Sequence, residues 1–216
     1  MKRILINIFI ILFICTSFVS GQFIQSFGLK GGFSLNNQNI RITPLDYRLE
    51  TDPVICPDIS LFLEAYKRNH QSMELDVSYL VKGFSSSVSS ITVNHLENDR
   101  IEVNEGPIYN SRFHYLSISP LGRFFIEREL IGIYGILGPR LDILLSYITD
   151  SDYPLEDQNG IILGIDVGVG LEFQFNRISL LSEIRYQPDV TTVQNIEPMR
   201  IKNHGLMFLV GIKMKQ

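Results

Sequence analysis

Beyond its first 21 residues the chain contains one cysteine, Cys56, so no intrachain disulfide can form there, even though export would permit one. It has no basic cluster. Residues 22–216 carry 17 Lys and Arg against 23 Asp and Glu, a formal net charge of −6, and offer no electrostatic footprint for nucleic acid. No stretch after residue 21 reaches eighteen uninterrupted apolar residues, which excludes a membrane-spanning helix there. Cys56 and the histidines His70, His95, His114 and His204 are scattered without metal-ligand spacing. Neither Gly31-Gly32 nor Gly168/Gly170 opens a helical pattern, so neither reads as a phosphate-binding loop. No low-complexity segment is present, and nothing repeats beyond a hairpin-sized unit.

What the amino terminus does have is Lys2-Arg3, an apolar run from Ile4 to about Val19, and Ser20-Gly21-Gln22. This reads as a cleaved secretory signal, residues 1–21, with Val19 and Gly21 as the small residues before the cut. The apolar run is shorter than the roughly 20 residues a spanning helix needs. Cys15 follows Ile14, where a lipoprotein signal wants a small residue, so lipidation is not expected. The 195 residues from 22 to 216 suit one domain.

The clearest pattern lies between Gly160 and Gln187. Ile161, Leu163, Ile165, Val167, Val169, Leu171, Phe173 and Phe175 alternate with Gly164, Asp166, Gly168, Gly170, Glu172 and Gln174. Side chains on a strand alternate faces, so this strand has one apolar and one mostly small or charged face. Asn176-Arg177 makes a tight turn, and the alternation resumes through Ile178, Leu180, Ser182, Ile184 and Tyr186. The run exceeds an ordinary strand of about five or six residues. It suits the roughly 9–11 tilted residues that cross an outer membrane, with an overhang.

Similar strands are predicted at Phe27–Leu35, Asp58–Tyr66, Ser72–Gly83, Arg112–Leu121, Ile131–Tyr147 and from Leu206 through Met214 at the end of the chain. In Arg112–Leu121 the facing is ambiguous, because Phe113 and Tyr115 compete with Leu116 and Ile118. Pro120 is expected near that strand's end, where a missing amide donor does little harm. Residues 36–57, 148–159 and 187–203 read as loops, and 122–130 as a short link. Residues 84–110 keep alternating and read as two strands continuing past the membrane as a hairpin. Long and short connections alternate along the chain. An even strand number, long outside loops and tight periplasmic turns describe an outer-membrane barrel. The expectation is an all-β, eight-stranded, antiparallel up-and-down transmembrane barrel over residues 22–216, with both termini periplasmic. A soluble barrel of lipocalin type, with the apolar face turned inward, is the competing architecture. Glycine and carboxylate on the polar face of 160–175 favour the membrane, because glycines leave room in a narrow lumen for long charged side chains from opposite strands.

Short matches spread along the chain resemble the PorT family of outer-membrane β-barrel proteins of Bacteroidetes-type bacteria. They are Gly28-Leu29-Lys30-Gly31-Gly32-Phe33, Glu74-Leu75, Ser78-Tyr79, Lys82-Gly83, Tyr115-Leu116, Pro120-Leu121, Leu137-Gly138-Pro139, Gly164, Gly168-Val169-Gly170, Glu172, Arg185-Tyr186 and Lys202-Asn203. Ser119 separates Ile118 from Pro120, where the family usually joins them. The chain closes on Met214-Lys215-Gln216, where such barrels tend to end on an aromatic residue. The resemblance implies an integral outer-membrane barrel of a Gram-negative cell; some relatives are linked to protein secretion.

The expected lumen-facing set is Lys30, Glu64, Glu74, Asp76, Lys82, Arg140, Asp142, Asp166, Glu172, Glu183, Arg185 and Lys213. Eight strands leave an interior that side chains just fill, so these are expected to form an ion-pair plug rather than a solute path. Tyr66, Tyr79, Phe124, Phe125, Tyr147, Phe173 and Tyr186 are read as an interfacial girdle. Enzymatic function is not expected. His114, near Ser117 and Ser119, is the one histidine worth testing as a base, and no motif ties it to an acid. No catalytic, cofactor-binding or metal-binding residue is assigned, and no cofactor is implied. The functional expectation is a structural or interaction role, with recognition carried by the outside loops. The partners are outer-membrane lipid, the barrel assembly machinery and an unidentified protein. A small-solute pore and a lipid-modifying enzyme stand as alternatives.

Overall fold

The computed structural model describes residues 24–42, 47–49, 51–68, 70–94, 100–128, 130–149, 159–196 and 199–215. The expected signal segment 1–21, His95 and most of the 148–159 loop lie outside the described residues.

Alternation of the kind seen at 160–187 builds eight long strands: β1 Ile24–Ile42, β3 Asp52–Arg68, β4 Gln71–Asn94, β5 Arg100–Arg128, β6 Ile131–Thr149, β7 Ile161–Phe175, β8 Ile178–Pro188 and β10 Met199–Lys215. Two three-residue strands, β2 Tyr47–Leu49 and β9 Gln194–Ile196, pair at the margin with β1 and β10. Each long strand pairs antiparallel with its neighbour in sequence, and β1 pairs with β10 from Ser26↔Lys215 to Ile42↔Met199. That last pairing closes the sheet into an eight-stranded antiparallel barrel, as expected. Closure leaves no edge strand whose amides would face lipid unpaired.

The tight connections fall at the end of the barrel that holds Ile24 and Lys215, with Asn176-Arg177 turning directly from Phe175 to Ile178. At the β3–β4 corner the register slips between Ala65↔Met73 and Arg68↔Gln71. Tyr66 sits in that slip with φ 50°, the left-handed region that a bulky residue enters only under local constraint.

Several expected boundaries are corrected. Residues 36–57 are mostly strand, because β1 runs to Ile42 and β3 begins at Asp52. Residues 122–130 are not a link: β5 continues to Arg128. The 187–203 segment is divided among the end of β8, β9 and the start of β10. The 84–110 hairpin forms as expected, its ladder continuing to Asn94↔Arg100. Pro120 is mid-strand rather than terminal. The β5–β6 ladder lapses between Ile118↔Leu141 and Gly122↔Leu137, a register that sets Pro120 opposite Pro139. Two residues without amide donors thus face each other, and the wall loses pairing at one level instead of two.

The two faces settle the inside and the outside. Outward residues are apolar and open to the surroundings: Leu61 is 63% exposed, Ile133 52%, Val169 59% and Val210 66%. Residues one position along are buried, among them Ser60, Glu172, Leu209 and Asp166, the last only 1% exposed. The ambiguous β5 is resolved with Phe113 and Tyr115 inside and Leu116 and Ile118 outward.

Candidate functional site

Among the described residues the interior is where charged chemistry concentrates. Each long strand sends at least one charged side chain into it: Lys30 from β1, Glu64 from β3, Glu74, Asp76 and Lys82 from β4, Arg123 from β5, Arg140 and Asp142 from β6, Asp166 and Glu172 from β7, Glu183 and Arg185 from β8, and Lys213 from β10. All twelve expected lumen residues are buried inside.

Three connected tiers result. Nearest the chain ends, Lys213 Nζ donates to Glu172 (2.6 Å) and Glu64 (3.1 Å), and Glu64 also accepts from Ser26 and Ser72, both at 2.7 Å. Arg123 lies 3.1 Å from Glu74, with its guanidinium 3.9 Å from the centroid of the Tyr134 ring. In the middle tier Lys30 meets Glu74 at 2.5 Å and Glu183 at 3.1 Å, while Arg185 reaches Glu183 at 2.5 Å and Asp76 at 3.0 Å. Tyr134 donates its hydroxyl to Glu183 at 2.7 Å. In the third tier Arg140 contacts Asp142 (3.0 Å), Asp166 (2.9 Å) and Asp189 (2.5 Å), and Lys82 joins Asp142 and Asp189 from the other side. Arg185 also lies 3.8 Å from Asp166, which links the second and third tiers. Apolar side chains, including Leu80, Phe113, Tyr115 and Ile162, cluster beyond the third tier.

Buried charge is tolerated only when paired and hydrogen-bonded, and this arrangement supplies both. The glycines of β7 make the room. A Cβ on Gly164 would collide with the Arg140 guanidinium, and one on Gly170 with the Tyr134 ring. Acids and bases pair across the bore in all three tiers. Among the described residues Arg140, Arg185, Glu172 and Glu183 are all engaged in ion pairs across the bore.

Three members were absent from the expected set. Arg123 lies in the stretch read as a link, Asp189 in one read as a loop, and Asp58 at the margin of a strand. Phe125, expected in the girdle, is instead 4% exposed and packs inside against Arg123 and Tyr134. The other girdle residues, Tyr66, Tyr79, Phe124, Tyr147, Phe173 and Tyr186, do face outward.

The histidines are not brought to a common site. His114 faces outward, its Nδ1 2.6 Å from the Tyr79 hydroxyl, whereas Ser117 and Ser119 point into the lumen and Ser119 donates to Asp166. His70 lies in the exposed β3–β4 turn, and His204 lies opposite Asn37 and Pro188. Cys56 is buried and unpaired. Among the described residues no three His, Cys, Asp or Glu side chains converge as a metal-ligand set.

An apolar belt outside and paired charge inside is the distribution of an outer-membrane barrel and the inverse of a soluble one. The chain is an integral outer-membrane β-barrel. The lipocalin-like alternative required the apolar face to line the lumen, and that face is outside. No protein-family profile matches the chain, and no curated protein matches it. Solved structures similar to it include three small outer-membrane proteins. Ail, the attachment invasion locus protein of Yersinia pestis, is 13% identical, over 88% of this chain and 99% of that one, with a TM-score of 0.40. OprG of Pseudomonas aeruginosa is 11% identical, over 92% and 99%, with a TM-score of 0.46. Neisserial surface protein A is 12% identical, over 88% and 97%, with a TM-score of 0.44. At these scores the likenesses carry no functional argument, and the membrane placement rests on the barrel's own two faces.

Proposed function

We propose that this protein is a sealed barrel of PorT type, exported through a signal peptide, residues 1–21, that is then cleaved, and inserted by the barrel assembly machinery. Its work is done by what it displays beyond the membrane. The observation that carries this reading is the ion-paired plug, which occupies the lumen where a solute path would run. Display is supported by strand length. β4 and β5 have 24 and 29 residues, where roughly 9–11 suffice to cross the bilayer. The surplus projects from the end opposite the termini, the extracellular end in this orientation. Recognition carried by loops on a rigid scaffold is the common arrangement, and the β4–β5 hairpin offers the largest surface for a protein partner. The PorT resemblance makes components of protein secretion the first partners to examine.

Reconstitution in planar lipid bilayers tests the sealed lumen. The expected trace at physiological salt is baseline current with no unitary steps. Stable, solute-selective conductance would replace this reading with a small-solute pore.

A further inference from the structure

β1 and β10 stand apart in charge. Residues 22–216 are acidic overall, yet these two strands carry six Lys and Arg and no Asp or Glu. Lys30 and Lys213 turn inward onto buried carboxylates, and Lys215 donates to Gln174. The other three, Arg41, Arg200 and Lys202, lie exposed at the opposite end of the same strands.

The closing ladder brings these three together. Arg41 is the register partner of Arg200, Asn39 of Lys202 and Asn37 of His204. Arg200, Lys202 and His204 occupy alternate positions of β10, on the face that continues as Leu206, Phe208, Val210, Ile212 and Met214. The sequence has no basic run, and the pairing of its first and last long strands assembles one. Like charges directly opposite each other across a ladder are destabilising, and an anion lying over both offsets that cost. Behind the rungs, Gln38 donates to Asn203 at 2.8 Å, which ties β1 to β10 at this level.

Depth places the basic rungs at the lipid headgroups. From Met214 to Leu206 the outward face of β10 is apolar for about 27 Å of strand, or about 20 Å of depth at a tilt of roughly 40°. His204 then falls at the edge of an apolar band about 25 Å tall, with Lys202 and Arg200 just beyond it. Below them, on the same seam, the Phe33 and Phe208 rings stack at 5.3 Å. Gly31 leaves a dent beside Phe33, where a Cβ would meet nothing closer than 3.9 Å.

We propose that this seam binds a phosphate-bearing, multiply acylated lipid of the outer leaflet. Its phosphate sits on Arg200 and Lys202 beside Arg41, and its acyl chains run along Phe33, Phe208 and the dent at Gly31. A soluble anion would use only the upper rungs; the unbroken passage from cations to apolar wall fits a ligand that has both parts. The assignment rests on the orientation given above, with both termini periplasmic.

Native mass spectrometry of the purified full-length barrel in detergent micelles, titrated with lipid A that carries its phosphates, tests the site. The wild type should bind it. Arg200→Gln/Lys202→Gln should bind roughly 10- to 100-fold more weakly, as for the loss of two charge-assisted contacts. Arg68→Gln/Arg177→Gln, exposed at the other rim, should leave binding unchanged. Removing the phosphates from the lipid should weaken wild-type binding as much as the Arg200→Gln/Lys202→Gln change does. Equal binding by the wild type and that variant, or of the lipid with and without phosphate, would overturn the proposal. So would displacement by inorganic phosphate at equal phosphorus, which marks a free-anion site, or tighter binding of a soluble sulfated polysaccharide. The leaflet is read separately. Asn39→Cys in a Cys56→Ser background should react on intact cells with a membrane-impermeant maleimide. Reaction only after permeabilisation would turn the barrel over and remove the outer leaflet as the source. Loss of the phosphate dependence with that labelling intact would remove the lipid site alone.

Discussion

Arg140→Ala should lower the stability of the folded barrel by about 3–5 kcal/mol, the usual cost of removing one partner from a buried ion pair. Among the described residues Arg140 is the only cation touching Asp166 within 3 Å, and it also holds Asp142 and Asp189. Without it three carboxylates share a small volume with Lys82 and the more distant Arg185, 3.8 Å from Asp166. Arg140→Lys should recover only part of the loss. An ammonium is a point charge, whereas the guanidinium's fixed fork reaches three acids from one position. Urea unfolding in lipid vesicles measures both variants. A cost below about 1 kcal/mol for Arg140→Ala, the range of an exposed pair, would mean that the third tier is solvated and that the lumen is wet.

Val167→Arg should cost roughly 2–4 kcal/mol, as a basic side chain does at the bilayer midplane. Val167 is 45% exposed, lies midway along β7, and pairs with Leu137 and Tyr186 on the same outward face. Its neighbour Asp166 points the other way, 2.9 Å from Arg140. The same vesicle-based unfolding reads the effect. Folding as stable as the wild type's in lipid would reverse the assignment of outside and inside.

The barrel was legible in the sequence wherever its two faces differ chemically. β7 is the extreme case, with aliphatic residues against glycine and carboxylate, and its face assignment holds from Ile161 to Phe175. The signal fails where strands leave the lipid. From Asn36 to Asn39 the chain is all amide side chains, so no hydrophobic period survives. The backbone ladder to β10 nevertheless continues through Ile42↔Met199, because hydrogen bonding does not depend on which face is apolar. Strand ends beyond the membrane were therefore read as loops.

Arg123 was hidden for a different reason. Phe124 and Phe125 follow it in succession, which breaks the alternation, and only the folded wall shows that Phe124 meets lipid while Phe125 packs beneath Arg123. Asp189 became visible only through its partners Lys82 and Arg140 on distant strands. A twelve-member lumen set could thus be written from periodicity alone. The pairing among its members depends on side-chain reach across the bore, and no one-dimensional pattern encodes that.

The central claim, an apolar belt in lipid around a charged and sealed interior, is tested most directly along β7. Nitroxide labels placed singly at Ile165, Val167 and Val169, in a Cys56→Ser background and in lipid nanodiscs, should collide readily with dissolved oxygen. They should be shielded from a water-soluble nickel complex. High accessibility to the nickel complex and low accessibility to oxygen at these three positions would contradict it.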